Sequence, residues 1–170
     1  MAELRLEGVV AGYGRGDVLR GVDLSVRPGA VTCETQFRSF GGVESFSGRI
    51  ATVRCLEDNV LVKRRVSEPG DGRVLVVDGG GSYRCALAGD AVAGLALENG
   101  WAGLVLNACV RDVAALATLP IGIKALGTNP RPSGKNGVGE IDVPVTFGGA
   151  EFAPGATLHA DDDGVIVLTP

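Results

Sequence analysis

Hydrophobic and polar positions along this chain fall into short blocks, most of them of strand length and separated by glycines. The runs inside Arg73–Val77 and Gly103–Val110 are almost uniformly apolar, which suits strands covered on both faces rather than surface hairpins. Further strands are predicted at Arg49–Leu56, Gly122–Ala125, Val143–Phe147, Thr157–Ala160 and Val165–Leu168. Helices are predicted near Asn59–Val66, Asp90–Asn99 and Asp112–Ala117. In the second of these Val92, Leu95 and Ala96 share a face, and Gly100 stands where a helix stop belongs. The last quarter reads as an antiparallel meander with Asp163-Gly164 as a hairpin turn. Strands alternating with helices in the middle, and paired strands around them, predict an α/β fold.

Residues 1–33 follow a different pattern. MAELRLEGVVAGYGRGDVLRGVDLSVRPGAVTC alternates well enough for antiparallel strands at Leu4–Val9 and Val18–Val26 and a third from Ala30. Gly12, Gly14 and Gly16 break the first pair, and Pro28-Gly29 makes a turn. This hairpin-like leader resembles the opening of ABC-transporter ATP-binding subunits, where a Tyr at the place of Tyr13 stacks on adenine. The phosphate loop that should follow Val31-Thr32, G-x-x-x-x-G-K-S/T, occurs nowhere in the chain. Without that loop's N–H groups and lysine, nothing holds a triphosphate. Residues 1–33 therefore read as a fused or misassigned leader and not an ATPase, ahead of a domain at 34–170.

Composition narrows the function. At 170 residues the chain is about one domain long, and with 45% hydrophobic but only 5% aromatic residues its core must be aliphatic. A formal charge of −4 argues against a nucleic-acid binder that works by phosphate neutralisation. Cys33, Cys55, Cys85 and Cys109 lack metal-knuckle spacing, and the last three lie in or beside apolar runs, as buried free thiols do. No basic segment precedes an apolar signal core, and no apolar run reaches the roughly 18 residues of a membrane span. A reduced, cytoplasmic protein without a membrane association is the expectation.

Candidate chemistry concentrates in VLVVDGGGSYRCALAGDAVAGLALENGWAGLVLNACVRD, from Val74 to Asp112. Gly89-Asp90-Ala91-Val92 opens a helix. Taken alone it is either a plain capped turn or a place where a ligand anion meets backbone N–H groups. Arg111-Asp112 ends the second apolar run, and by itself is either an ion pair or cap, or a guanidinium and carboxylate for an anionic substrate and a divalent metal.

That stretch resembles the core of the RraA-like family, which includes 4-hydroxy-4-methyl-2-oxoglutarate aldolases and regulators of ribonuclease activity. FRSFGGVESFSGRIATVRCLEDNVLVKRRVSEPGDGRVLVVDGGGS opens the likeness near Phe37, and GIKALGTNPRPSGKNGVGEIDVPVTFGGAEFAPGATLHADDDGVIVL closes it, so it spans about three-quarters of the chain. Family members usually carry a short helical segment where this chain has its leader. The resemblance implies a layered β/β/α sandwich and a homotrimer or dimer of trimers. It implies that Gly89, Asp90, Ala91 and Val92 bind the pyruvyl carboxylate, that Arg111 binds substrate, and that Asp112 ligates a metal. Asp90 would hold metal-bound water. The implied activity is class II aldol cleavage to pyruvate, with oxaloacetate decarboxylation through the same enolate. Ribonuclease-regulating relatives can lack the Asp, so Asp112 favours the enzyme over a non-catalytic regulator that binds a ribonuclease complex.

The residue chemistry fits that expectation. An enolate's charge needs a Lewis acid, and oxygen ligands such as Asp112 plus water suit Mg²⁺ or Mn²⁺ better than zinc. A Schiff-base route needs a desolvated lysine; of Lys63, Lys124 and Lys135, Lys124 follows a strand-like run but carries no mark of activation. His159 is the single histidine, which excludes a His-rich zinc site. Asp161-Asp162-Asp163 is either a metal cluster or the start of a hairpin turn, and the turn is the simpler reading beside Gly164. Ser82 and Ser133 have no nearby base in sequence, and Trp101 reads as packing at a helix-to-strand corner.

Overall fold

The computed structural model describes residues 29–168 in full and, before them, the backbone of 4–11 and 19–26. Gly12, Tyr13, Gly14, Gly16 and Pro28, on which the leader's adenine and turn expectations rest, lie outside the described residues. The chain divides into two compact units, 1–30 and 31–170. In the first, β1 (Leu4–Ala11) and β2 (Leu19–Val26) pair antiparallel, from Leu4 opposite Val26 to Ala11 opposite Leu19.

The second unit is built on a mixed sheet. Its centre is four parallel strands in spatial order: β5 (Phe46–Arg54), β6 (Val74–Ala88), β7 (Gly103–Val110) and β8 (Gly122–Thr128). The short β4 (Arg38–Ser39) closes the β8 edge, and β9 (Glu140–Ile141) pairs with the end of β5. On the other side β12 (Thr157–Asp161), β13 (Gly164–Leu168) and β3 (Ala30–Cys33) continue the order. Besides β9, strand β5 serves two partners in succession: Phe46–Arg49 pair with β12, while Ile50–Arg54 pair with β6. β10 (Val145–Phe147) and β11 (Ala150–Phe152) form a separate hairpin.

Alternation along the central strands sorts the core into two clusters. Leu75, Val77, Leu104, Leu106, Ile123 and Ala125 face one way, onto helices α1 (Val60–Val66), α2 (Asp90–Glu98) and α3 (Val113–Leu116) through Val62, Val66, Val92, Ala93, Ala96 and Leu116. Ile50, Val74, Val76 and Val105 face the other way, onto Val145, Phe152, Leu158, Val165 and Val167 of the outer strands. This is the β/β/α layering expected, and both apolar runs are covered on each face. The stop at Gly100 is also as expected: its N–H reaches Leu97 O at 3.1 Å and that of Trp101 reaches Ala96 O at 3.0 Å, the paired bonds of a Schellman end.

Several local expectations change in detail. β6 does not stop near Val77 but runs on to Ala88, with register shifts against β7 at Asp78/Ser82, Ser82/Ala86 and Ala86/Ala88. Gly80 and Gly81, at φ of 66° and 68°, let the chain bulge without leaving the ladder. The hairpin turn is Asp162-Asp163, one residue earlier than predicted, since Gly164 already pairs with Asp161. Asp161 accepts from the N–H groups of Asp163 and Gly164 at 3.0 and 3.3 Å, so this carboxylate serves its own turn. Trp101 is a packing residue, with its indole N–H on Glu68 O at 3.1 Å and the guanidinium groups of Arg65 and Arg73 over its ring.

Candidate functional site

Adjacent parallel strands deliver their C-terminal ends to one place, which is where open α/β sheets bind ligands. β6 ends at Ala88 and passes through Gly89 into α2, while β7 ends at Val110 and passes through Arg111-Asp112 into α3. The two ends are tied by Arg111 N–H to Ala88 O at 3.0 Å. A cavity of about 60 Å³ opens there, lined by Gly89, Asp90, Ala91, Val92 and Arg111 together with Asn59, Ala86, Ala88, Pro132, Ser133 and Lys135. At roughly 10–15 Å³ for one water molecule, this is room for a small organic acid.

Gly89 is glycine for lack of space and not for its backbone angles, which are extended at φ −145° and ψ −164°. A Cβ there would overlap Asp112 Oδ2 and sit 3.0 Å from Arg111 Cγ and 3.2 Å from Arg111 Nε. The two segments singled out in the sequence are therefore in contact. Gly89 is the N-cap of α2 and Asp90 its first helical residue, so the first-turn N–H groups of Asp90, Ala91 and Val92, which have no backbone acceptor within the helix, belong to residues lining the cavity. Asp90 Oδ1 accepts from Ala91 N–H at 2.6 Å.

Asp112 does not line the cavity itself. It sits at the N-cap of α3 in the left-handed region, φ 59° and ψ 39°, with no capping bond from its side chain. Its Oδ2 is instead 3.2 Å from Arg111 Nε, with the two side chains 36% and 43% exposed respectively. Of the two alternatives open in the sequence, this contact is the ion pair.

The cavity's remaining polar wall comes from Asn59 and from Ser133 and Lys135, which the sequence presents only as a candidate nucleophile and a candidate Schiff-base lysine and leaves without a role. Asn59, the N-cap of α1, is buried and donates through Nδ2 to Leu87 O at 2.9 Å, while its Oδ1 accepts from Lys135 Nζ. The loop carrying Ser133 and Lys135 is fastened at both ends. Ala86 N–H bonds Arg131 O at 2.8 Å, and Gly134 N–H bonds Glu57 O at 2.7 Å. Asp58, only 3% exposed, accepts from Val60 N–H at 3.0 Å, from Gly137 N–H at 3.1 Å and from Asn136 N–H. Burial pushes the Asp58 carboxyl up, but those three donors and the nearby Lys135 charge outweigh it and hold it below the usual carboxylate value.

Other candidates fall elsewhere. Lys124 is 2% exposed and bonds Ser39 Oγ at 2.6 Å, with Asp162 at 3.6 Å, away from the cavity lining. Ser82 bonds Glu57 at 2.6 Å, and His159 is exposed on β12. All four cysteines are buried and free. Burial, with the charges of Asp58 and Asp78, pushes the Cys55 thiol up to about 12, and burial raises Cys85 and Cys109 as well.

A cation would find few protein ligands here. Among the described residues no group of three or more His, Cys, Asp or Glu side chains is placed to hold a metal. The carboxylates present are those of Asp90, in the lining, and Asp112, beside Gly89; as hard oxygen donors they would suit Mg²⁺ or Mn²⁺ completed by water, and they do not make a closed zinc site. Among the described residues no helix is long and apolar enough to cross a membrane.

A mixed sheet layered between helices and outer strands, with a small polar cavity at its parallel strand ends, defines a class, and comparison with known proteins gives its name. The family model for RraA-like proteins, Aldolase/RraA, matches residues 23–167, and the chain belongs to that family. A Laribacter hongkongensis protein with the provisional name 4-hydroxy-4-methyl-2-oxoglutarate aldolase is 59% identical over 130 residues, covering 76% of this chain and 82% of that relative. Among solved structures, a Geobacillus kaustophilus protein described as an S-adenosylmethionine:2-dimethylmenaquinone methyltransferase is 49% identical, with a TM-score of 0.81 over 82% of this chain and 86% of that one. The Thermus thermophilis RNA-processing inhibitor RraA is 47% identical, with a TM-score of 0.80 over 82% and 85%.

Proposed function

We propose that this protein is a divalent-metal-dependent aldolase that cleaves 4-hydroxy-4-methyl-2-oxoglutarate to pyruvate and also decarboxylates oxaloacetate. The observation that carries the reading is one small cavity lined by both the start of α2, Gly89–Val92, and the Arg111 guanidinium, with the Asp112 carboxylate packed on Gly89. The name of the Laribacter relative points the same way.

In this reading the first-turn amides of α2 take the substrate carboxylate, and the helix N-terminus favours its charge. Arg111, planar and permanently charged, grips a second oxygen and orients the acid. Asp112 would hold Mg²⁺ or Mn²⁺ with Asp90 contributing through water. The bound ion supplies Lewis acidity toward the enolate charge that develops as the carbon–carbon bond breaks. Lys124, salt-linked and away from the cavity, supports a route without a Schiff base. The cavity's size suits a small acid and not a nucleoside-sized methyl donor. The active assembly is a homotrimer or a pair of trimers, and residues 1–33 take no part in the chemistry.

Pyruvate release from 4-hydroxy-4-methyl-2-oxoglutarate and from oxaloacetate, with Mg²⁺ and with chelator, tests this. Turnover that chelator abolishes and Mg²⁺ restores is expected, and borohydride with pyruvate should trap no adduct. Chelator-resistant turnover, or an adduct on a lysine, overturns it. The Thermus inhibitor's description favours a second reading, regulation of a ribonuclease complex through the surface. Inhibition of a ribonuclease that survives Asp112→Asn, from a protein without pyruvate-releasing activity, would establish that reading instead.

A further inference from the structure

Two buried side-chain polar atoms among the described residues have no hydrogen-bond partner, Arg65 Nε and Ser133 Oγ. Their settings differ. The guanidinium of Arg65 is otherwise engaged, through ion pairs to Glu68 and Asp142 and its place over the Trp101 ring, and Arg65 is not among the residues lining the cavity. Ser133 is 8% exposed, lines the cavity, and shares it with Arg111, Lys135 and the start of α2.

A buried hydroxyl without a partner bears its full desolvation cost, and protein interiors rarely leave one so. Ser133 is also poorly placed to escape that cost by moving. Pro132 before it bridges Ala86 in a parallel pairing, and Gly134 after it is bonded to Glu57 and bridges Asp58. Asp58 then holds the next turn through Asn136 and Gly137. The backbone on both sides is fixed, so the residue is held at the cavity wall, and rotation about its Cα–Cβ bond is the freedom left to the hydroxyl. Arg111 and Lys135 of the same cavity are cationic and Asp90 is anionic, so the net positive lining favours an anionic occupant with oxygen acceptors.

We infer that Ser133 is a substrate-contacting residue: its Oγ–H donates to a carboxylate or carbonyl oxygen of the 2-oxo acid bound in the cavity. This rests on the aldolase reading above and adds a neutral donor to its cationic groups.

The test measures three quantities on the full chain and on Ser133→Ala and Ser133→Cys: pyruvate affinity by calorimetry with Mg²⁺ present, KM and kcat for pyruvate release, and the melting temperature without ligand. Cysteine keeps nearly the same volume while donating poorly. Pyruvate is expected to bind at least tenfold more weakly to both variants, with KM rising more than kcat falls. Their melting temperatures without ligand should be unchanged or higher, because an unsatisfied hydroxyl has been removed. Affinity within twofold of the parent in both variants overturns the inference. So does a fall in melting temperature, or failure to fold, in both, since that is what a structural serine would show. If the parent protein turns over normally while the variants match it, only this inference fails. If the parent neither binds nor releases pyruvate, the aldolase reading fails and this one with it.

Discussion

Replacing Gly89 with alanine probes the contact that joins the two halves of the site. The new Cβ would overlap Asp112 Oδ2 and crowd Arg111 at 3.0 and 3.2 Å. Ordinary contact between such atoms needs about 3.5 Å, so the Asp112 carboxylate must retreat by about 1 Å. Overpacking in a closed core costs about 1–3 kcal/mol. Here the displaced side chains are 43% and 36% exposed and can swing outward, so the lower end, about 1 kcal/mol, is expected. Activity should suffer far more than stability. A misplacement of about 1 Å at a reacting centre costs on the order of 10²-fold, or about 2.7 kcal/mol of transition-state stabilisation. Pyruvate-release kinetics at saturating Mg²⁺, beside a thermal melt, separate the two effects. The expected outcome is a folded variant, melting a few degrees lower, with kcat/KM reduced about a hundredfold. A Gly89→Ala protein with normal kcat/KM would show that the position of Asp112 against this turn is not used in catalysis.

Asp112→Asn should keep the fold, since asparagine tolerates the left-handed backbone at this position, while Mg²⁺-dependent turnover falls by at least about 10²-fold; full activity at low Mg²⁺ would remove Asp112 from metal binding. Arg111→Lys should raise KM strongly, because an ammonium cannot make the two-pronged carboxylate contact, and a near-normal kcat/KM would refute that role. Asp58 has a folded pKa below its unfolded one, so the stability it contributes is complete above about pH 4 and is lost as pH falls through the folded value. Denaturant midpoints measured from about pH 5 down to pH 3 should therefore drop more steeply for the parent than for Asp58→Asn, and parallel curves would contradict the assignment.

Much of this molecule was decided locally. The uniform apolar runs in 74–77 and 104–110 determined strands buried on both faces, because no one-sided sheet can hide both faces of such a segment. Gly100 determined where α2 ends, and Gly89-Asp90 and Arg111-Asp112 stood out because charge and glycine at the ends of apolar runs are locally conspicuous. The continuation of β6 through Gly79–Gly81 was not legible, since glycines that signal a turn in isolation here form a bulge between Asp78 and Ser82, which pair with Asn107 and Ala108 of β7. Nor were Asn59, Ser133 and Lys135, which are ordinary polar residues in ordinary loops until the fold closes. Their place at the cavity depends on Asp58 and Glu57 gripping a loop whose residues lie more than seventy positions away in the chain. Side-chain chemistry is written residue by residue, but which groups share a cavity is set by long-range pairing, and that information exists only in the folded chain.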